Sequence, residues 1–460
     1  MSEFEDKNHD EPASAVALSA SEAGWRPSRY NLVAPIPGDE RGRVAVLNLL
    51  RNSCRAYAPL ELAAMGMLDE LPAGHPAVER LAQRGLVVNF DEHAAYELMS
   101  RAGAAGTRRI DITICPTMGC NFDCPYCFED HTPGRMAAEV QDDVVALAER
   151  MLEASGAKLL HVAWYGGEPL LIPDIIESLS ERLMALAEER GVAYGAHIIT
   201  NGYLLTEDVA AMLGRARVEY AQITLDGVGA AHDATRHLAG GGPTYERIVE
   251  NISRPGLPFD VLLRQNVHER NLDQVKTVRD LCESIHAASG NRIRHAAQLL
   301  FENDRSAGRC DSVAAIEGDG AADVLLDMGR LPTGCRPYPC GAGNLWEMAV
   351  DPQGRLYKCW EVVDKPRFSF GTARDWDPTD PIYTAREPDK LTCYLNQAAP
   401  QNHVECAECL WLPLCAGGCP HQRILGNGHM CLPYKDRPGE YALARLRLEQ
   451  GSDADSTDGA

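Results

Sequence analysis

The sequence predicts an α/β protein built on a parallel sheet, with a smaller module on each side. Over residues 107–301, apolar strand-like runs alternate with amphipathic helical patterns, which is typical of βα units. A shorter mixture of strand and helix patterns precedes this stretch, and a Pro-rich, Cys-dense stretch follows it. The length of 460 residues agrees with roughly three domains at about 150 residues each. We therefore expect modules at 25–105, 106–305 and 335–448, with a linker at 306–334.

The first module is predicted to be a small α+β, winged-helix-like unit. Apolar runs predict its strands, and a helical spacing of apolar residues predicts its helices. In chain order these are strands at 30–34 and 44–50, helices at 60–71 and 77–84, and a strand at 86–90. Gly85 provides the stop signal between the second helix and the last strand.

The central module is predicted to contain six parallel strands. They are expected at 110–114, 161–165, 197–200, 221–225, 261–266 and 296–301, with helices between them that include 142–154, 172–190 and 272–285. Parallel strands present their carboxyl ends at one edge of an open sheet or one end of a barrel. We therefore expect the functional residues of this module to follow the strands directly.

The charge balance and the chain ends limit the partners and the compartment. With 44 Lys and Arg against 66 Asp and Glu, the formal net charge is −22, which disfavours nucleic acid or an anionic membrane as a partner. The N-terminus has neither the basic nor the apolar region of a signal peptide, and no run reaches about 18 apolar residues. We therefore expect a cytoplasmic protein, in which clustered cysteines indicate metal ligands rather than disulfides. The polar segments 1–24 and 449–460 are expected to be disordered.

A cysteine-rich loop follows the first strand of the central module. Cys120, Cys124 and Cys127 have the spacing C-x3-C-x2-C. Three thiolates would leave one iron of a [4Fe–4S] cluster open to an outside ligand. A zinc ion would need a fourth ligand, for which His131 is available. The loop therefore predicts a metal centre, with the cluster favoured over zinc or over plain core cysteines.

This loop, with Tyr126 before its last cysteine, resembles that of the radical S-adenosylmethionine (SAM) enzymes. The resemblance implies a partial (β/α)6 TIM-like barrel and a SAM site at the ends of its strands. The cofactor-binding residues implied in this way are Tyr126, Gly166, Gly167, Glu168, Pro169, Asn201, Thr224 and Arg236. In the family, the segment matching Gly166 to Pro169 receives the amino group of SAM. Arg264, Asn266 and Asn271 fit the family pattern more weakly. Turns, strand caps and solvated side chains are the alternative interpretation of these residues.

Eight cysteines of the third module resemble the SPASM extension of radical SAM enzymes. They are Cys335, Cys340, Cys359, Cys406, Cys409, Cys415, Cys419 and Cys431. The resemblance implies two auxiliary [4Fe–4S] clusters, one bound by Cys335, Cys340, Cys359 and Cys419 and the other by Cys406, Cys409, Cys415 and Cys431. A two-zinc ribbon is the structural alternative. The other five of the 16 cysteines are expected in core or incidental positions: Cys54, Cys115, Cys282, Cys310 and Cys393.

The resemblance implies an oxidoreductase that matures a ribosomally made (RiPP) precursor peptide. Enzymes of this family reduce SAM to methionine and a 5′-deoxyadenosyl radical, which abstracts hydrogen from the substrate. The expected product carries an oxidative cross-link, either a thioether or a carbon–carbon bond. The first module resembles the leader-binding module of such maturases, which captures the precursor by strand addition. A low-potential donor such as ferredoxin or flavodoxin would supply electrons.

Two alternatives remain at this point. An enzyme like the anaerobic sulfatase maturases, which form formylglycine, or another protein-modifying SPASM enzyme would share the cysteine pattern. Trp360 stands where those maturases carry aspartate after the cysteine matching Cys359, and about 100 residues precede the core, so both features disfavour that subclass. A zinc-stabilised, cysteine-rich binding adaptor is the non-enzymatic alternative. No catalytic acid or base is identified from the sequence.

Overall fold

The computed structural model describes residues 18–106, 108–300, 321–327 and 331–455. Most of the predicted N-terminal tail, Phe301 of the last predicted strand, Cys310 and much of the predicted linker lie outside these ranges. The strands are β1 (Arg26–Pro27), β2 (Asn31–Pro35), β3 (Val44–Asn48), β4 (Ser53–Tyr57), β5 (Val87–Val88), β6 (Arg109–Ile114), β7 (Leu159–Trp164), β8 (Ala193–Thr200), β9 (Val218–Thr224), β10 (Asp260–Val267), β11 (Ile293–Leu299), β12 (Glu347–Val350), β13 (Arg355–Tyr357) and β14 (Gly371–Thr372). The helices are α1 (Pro59–Leu62), α2 (Pro76–Gln83), α3 (Glu92–Ala104), α4 (Ala138–Ser155), α5 (Pro173–Glu189), α6 (Glu207–Arg215), α7 (Ala230–Asp233), α8 (Tyr245–Ser253), α9 (Gln274–Ser289), α10 (Ala321–Asp327), α11 (Pro388–Ala398), α12 (Val404–Ala407), α13 (Leu412–Cys415), α14 (Pro420–Ile424) and α15 (Pro438–Asp455). Within these ranges, no helix is both long enough and apolar enough to cross a membrane.

The N-terminal part contains a three-stranded antiparallel sheet in the order β2–β3–β4. The helix predicted at 60–71 is wrong in extent, because α1 ends at Leu62 and a single 3-10 turn, Ala63–Gly66, follows it. Glycine at position 66 disfavours a longer helix. Helix α3 was not predicted, although Asp91 caps it by accepting hydrogen bonds from the backbone nitrogens of His93 and Ala94.

The predicted disordered tail at 1–24 is too long at its C-terminal end. Ala20 is fully buried and its nitrogen donates a hydrogen bond to the Leu71 carbonyl. Ser19 forms an isolated bridge with Pro72. The described part of this segment is therefore ordered against the first module.

The central part is a parallel sheet whose six strands, β6 to β11, lie in sequence order. The predicted α/β class with a parallel sheet is confirmed. Both faces of this sheet are covered, and its strands are therefore nearly continuous apolar runs, as in β7, where five of six residues are buried. Helices α4 and α5 place their apolar faces against the sheet, with Leu147, Ile176 and Leu183 fully buried.

The cysteine-dense C-terminal part is joined to both other parts. Strand β12 pairs in parallel with β6, and β13 and β14 extend the central sheet to nine strands. Helix α15 lies against the N-terminal sheet, where Tyr441 packs in one hydrophobic cluster with Tyr30 and Leu32. The helix continues to Asp455, so the predicted disordered tail from 449 begins too early. The division into modules at 25–105, 106–305 and 335–448 stays a prediction.

Candidate active site

A cavity of about 580 Å³ lies at the carboxyl ends of the parallel strands. Residues at or just after five of these strands line it: Tyr165, Thr200, Thr224, Asn266 and Gln298. Five adjacent strands reach a single cavity only if the sheet curves around it, as in a partial barrel. The cavity is therefore where a parallel α/β fold is expected to bind its ligand.

The loop after β6 brings all three predicted cluster ligands to this cavity. Cys120, Cys124 and Cys127 each contribute to its wall. Burial raises the pKa of the Cys120 and Cys127 thiols to about 12 and also raises that of Cys124. Buried thiols of this kind do not ionise alone, but a bound metal removes their protons and makes them thiolate ligands. The donor set therefore fits an iron–sulfur cluster and does not resemble a free reactive cysteine.

His131 lies next to one of these thiols, with its Nε2 atom 3.2 Å from the Cys127 Sγ atom. This histidine is the fourth ligand that a zinc site would have required. Across the described ranges, however, no three His, Cys, Asp or Glu side chains are placed to hold a single metal ion.

The glycine segment after β7 packs directly on the start of the cluster loop. Gly166 has a φ of 122°, which favours glycine, and a Cβ atom there would overlap the Thr117 carbonyl. A Cβ atom on Gly167 would overlap the carbonyl oxygens of Met118 and Gly119. Both glycines line the cavity, so their backbone is exposed to a ligand there.

Glu168 lies behind the wall of the cavity and connects two strand ends. Its carboxylate accepts hydrogen bonds from the Thr200 Oγ1 atom at 2.6 Å, the Asn201 nitrogen at 2.7 Å and the Leu170 nitrogen at 2.9 Å. Glu168 is fully buried, and burial raises its pKa. Neither Glu168 nor Pro169 lines the cavity, whereas Asn201 does. In this structure Glu168 therefore positions the ends of β7 and β8 around the cavity.

Tyr126 connects the cluster loop to the ends of β9 and β10. Its hydroxyl donates to the Asp226 Oδ2 atom at 2.5 Å and accepts from the Arg236 Nη1 atom at 2.8 Å. The Asn266 side-chain nitrogen also reaches this hydroxyl, at 3.2 Å. Asp226 was not predicted as a site residue, although it follows Thr224 by two positions.

Arg236 retains an unused donor in this network. The residue is 8 % exposed, and its Nε atom has no hydrogen-bond partner among the described residues. Arg236, Thr224 and Arg264 all line the cavity. A guanidinium group with a free donor fits the carboxylate that SAM carries. Asn271 lies outside the cavity wall and donates to the carbonyls of Asp226 and Asn266.

The C-terminal part completes the cavity from the opposite side. Cys359, Trp360, Glu361 and Cys419 are among its lining residues. The Trp360 ring stacks on that of Tyr165, with 5.2 Å between the ring centroids. Two of the predicted auxiliary ligands therefore face the same cavity as the three ligands of the first loop.

The eight C-terminal cysteines fall into two groups in the structure. Cys340, Cys359 and Cys419 are near one another: burial is the main cause of the raised pKa of Cys359, and the other two thiols add to it. Cys406, Cys409, Cys415 and Cys431 form the second group, since burial is the main cause that raises the pKa of Cys415 to about 11 and the other three thiols add to it. Apart from Cys335, the grouping follows the two ligand sets that the resemblance implies, and these sets stay predictions.

Cys335 packs against the hydrophobic cluster that Cys406, Cys409 and Cys415 also contact, whereas Cys359 packs against a different cluster. The predicted set of Cys335, Cys340, Cys359 and Cys419 stays a prediction. Of the cysteines predicted not to be ligands, Cys115 and Cys282 are buried in hydrophobic clusters, and Cys310 lies outside the described residues.

Glu129 was also missed from the sequence. It lines the cavity two residues after Cys127 and is 3 % exposed. Burial raises its pKa to about 8, while the Tyr165 hydroxyl acts in the opposite direction. No sequence pattern around this glutamate predicts that its side chain is buried.

Comparison with known proteins identifies the central part of the chain. The Radical SAM superfamily model matches residues 114–254, which include the cluster loop, the glycine segment and Arg236. The chain is 25% identical over 348 residues to the mycofactocin maturase MftC of Mycolicibacterium smegmatis, covering 68% of this chain and 79% of that protein. It is 26% identical to the PqqA peptide cyclase of Methylorubrum populi, covering 57% of this chain and 68% of that one.

A solved structure has the same fold over most of the chain. The structure of anSMEcpe with bound AdoMet and the Cp18Cys peptide aligns with a TM-score of 0.54 at 19% identity, covering 75% of this chain and 99% of that one. The predictions of an enzyme that uses SAM and [4Fe–4S] clusters are confirmed, which excludes the zinc-stabilised adaptor. Residues 114–254 therefore match the Radical SAM superfamily, and the chain contains a radical SAM domain.

Proposed function

We propose that this enzyme matures a ribosomally made precursor peptide by installing an oxidative cross-link, either a thioether or a carbon–carbon bond. The observation that carries the proposal is the cavity between two sets of cysteines. Cys120, Cys124 and Cys127 lie on one side, and Cys359 and Cys419 on the other. A substrate in this cavity would be near an electron source and an electron acceptor, which suits a net oxidation. The PqqA peptide cyclase among the relatives supports a peptide substrate.

The residues of the chain have separate roles in this proposal. When bound, SAM and the reduced cluster supply the radical that removes a hydrogen atom from the substrate. Gly166 and Gly167 would offer backbone groups to the SAM amino group, and Arg236 would bind its carboxylate. Tyr126 and Asp226 hold Arg236 in place by hydrogen bonds. Trp360, from the C-terminal part, stacks on Tyr165 at the end of β7, and both line the cavity.

The auxiliary ligands belong to the same proposal. Cys406, Cys409, Cys415 and Cys431 would bind one auxiliary cluster, and Cys340, Cys359 and Cys419 would provide three ligands of the other. The resemblance assigns Cys335 as the fourth, although Cys335 and Cys359 pack against different hydrophobic clusters. A full set of four thiolates favours electron transfer over direct binding of a substrate thiol. An open position in place of Cys335 would favour the thioether product instead.

The N-terminal sheet would capture the precursor by strand addition. In the order β2–β3–β4 the two outer strands have open edges, and β2 ends at Pro35, which has no N–H to donate. Strand β4 (Ser53–Tyr57) therefore offers the more complete edge for a peptide. The alternative interpretation is that the N-terminal module is purely structural. Helix α15 packs on this same sheet, which favours that alternative.

Hydrogen–deuterium exchange tests this capture. Adding the small peptide encoded next to the enzyme gene is expected to slow amide exchange in β4, because the new strand occupies its free edge. Strand β3 is already paired on both sides and serves as the internal control. Unchanged exchange in both outer strands would show that the peptide binds elsewhere.

The reaction itself is tested by mass spectrometry. Anaerobically reconstituted enzyme with SAM, a reductant and the neighbouring peptide is expected to form deoxyadenosine and a product lighter by about two mass units per cross-link, because each link removes two hydrogen atoms. Omission of SAM is the control. Deoxyadenosine without any change in peptide mass would contradict the proposal. A cleaved or formylglycine-containing peptide would identify the alternative class of protein-modifying enzyme.

A further inference from the structure

The cavity contains one acidic side chain that the proposed chemistry does not use. Glu129 is 3 % exposed and lines the cavity. Neither of its carboxylate oxygens has a hydrogen-bond partner among the described residues, although the Tyr165 side chain interacts with it. A buried carboxylate is costly unless it is paired with a donor or a cation. No lysine or arginine among the described residues forms an ion pair with Glu129, and a cationic ligand in the cavity could do so.

The lysine whose charge acts on Glu129 is engaged with another group. Lys365 contributes to the electrostatic environment of Glu129, but its Nζ atom donates a hydrogen bond to the Glu361 carbonyl at 3.0 Å. Arg236 and Arg264 also line the cavity, and both are tied to the strand-end network, through Tyr126 and Asn266 respectively. The cavity thus has basic groups at the ends of β9 and β10 and acidic groups, Glu129 and Glu361, beside the C-terminal part.

An aromatic pair lies on the acidic side. Tyr165 is 8 % exposed, whereas Trp360, stacked on it, is 41 % exposed. An accessible tryptophan ring attracts a cationic group that approaches its face. A carboxylate without a paired cation and an accessible indole in one cavity together favour a positively charged ligand.

We propose that Glu129 and Trp360 form a subsite for a basic side chain of the substrate, lysine or arginine. The cationic group would pair with the Glu129 carboxylate, and the aliphatic part of the side chain would lie along the Tyr165–Trp360 pair. The substrate peptide would then carry a basic residue close to the carbon that reacts. This inference rests on the proposed peptide substrate and specifies the class of residue that enters the cavity.

Two short probes test this subsite on the reconstituted holoenzyme with SAM. They are acetyl-Gly-Lys-Gly-amide and its norleucine analogue, which has a similar length but no charge. Wild-type enzyme is expected to bind the lysine probe about tenfold or more tightly, measured by saturation-transfer NMR. Glu129→Gln is expected to remove this preference, because it removes the charge and keeps the shape. Glu189→Gln, at an exposed position at the end of α5, is the matched control and should retain it.

A second variant distinguishes the loss of the charge from an effect of the substitution on folding. Glu129→Asp keeps the charge on a shorter side chain and is expected to retain more of the preference than Glu129→Gln. Equal binding of the two probes to the wild type, including no measurable binding of either, would overturn the proposal, since Lys365 would then already satisfy Glu129. A loss of SAM binding in Glu129→Gln as large as its loss of lysine-probe binding would also overturn the proposal, because Glu129 would then contact the cofactor. Probe binding requires no turnover, so it can succeed or fail independently of the peptide-maturation test.

Discussion

Replacement of Cys120, Cys124 and Cys127 by alanine is expected to abolish deoxyadenosine formation. The iron content should fall from about twelve to about eight atoms per chain, since one of three four-iron clusters is lost. All three thiols face the same cavity, and their burial means that bound metal is required to keep them ionised. Iron and sulfide analysis of the anaerobically reconstituted protein measures the cluster content. Chromatography of the SAM products measures deoxyadenosine formation.

Cys393→Ala is the matched control for the triple variant. Cys393 is partly exposed on α11 and belongs to neither cysteine group, so its loss should leave both measurements unchanged. An unchanged iron content in the triple variant would show that the loop does not bind a cluster. A wild-type content near eight would indicate that only one auxiliary cluster is bound.

Gly167→Ala is expected to disrupt both the fold around the cavity and the first cluster. A Cβ atom at this position would overlap the carbonyl oxygens of Met118 and Gly119, which are backbone atoms and cannot move independently of the loop. The cost in free energy of unfolding should reach about 3 kcal/mol or more, the upper range for added atoms in a packed interior. Urea denaturation of the metal-free protein should therefore show a lower midpoint, and the reconstituted protein should contain about four fewer iron atoms.

Gly240→Ala provides the comparison for this variant. No atom lies within 4 Å of a Cβ atom built at Gly240, so the substitution should leave the midpoint nearly unchanged. The same stability for Gly167→Ala and Gly240→Ala would show that the glycine segment does not pack on the cluster loop. Loss of iron without loss of stability would place the effect of Gly167 on the cluster alone.

Local patterns made much of this protein predictable. The strand ends and the cluster loop are each encoded within a few neighbouring residues, such as Cys120 to Cys127 and Gly166 to Pro169. Parallel strands bring their carboxyl ends together, so six separate segments could be assigned to one site without knowledge of the packing. The structure places most of these predicted residues around one cavity, while Glu168 and Pro169 lie behind its wall.

The sequence by itself determined the α/β class, the cluster loop and the resemblance of the central part to radical SAM enzymes, because each depends on patterns along the chain. Only the tertiary structure decided which distant segments meet. Strand β12 joins β6, helix α15 covers the N-terminal sheet, and Cys335 packs against the same hydrophobic cluster as Cys406. It also decided that Glu129 and Trp360, from distant parts of the chain, line one cavity. These contacts join residues far apart in the sequence, and they depend on which apolar surfaces bury one another rather than on any local pattern.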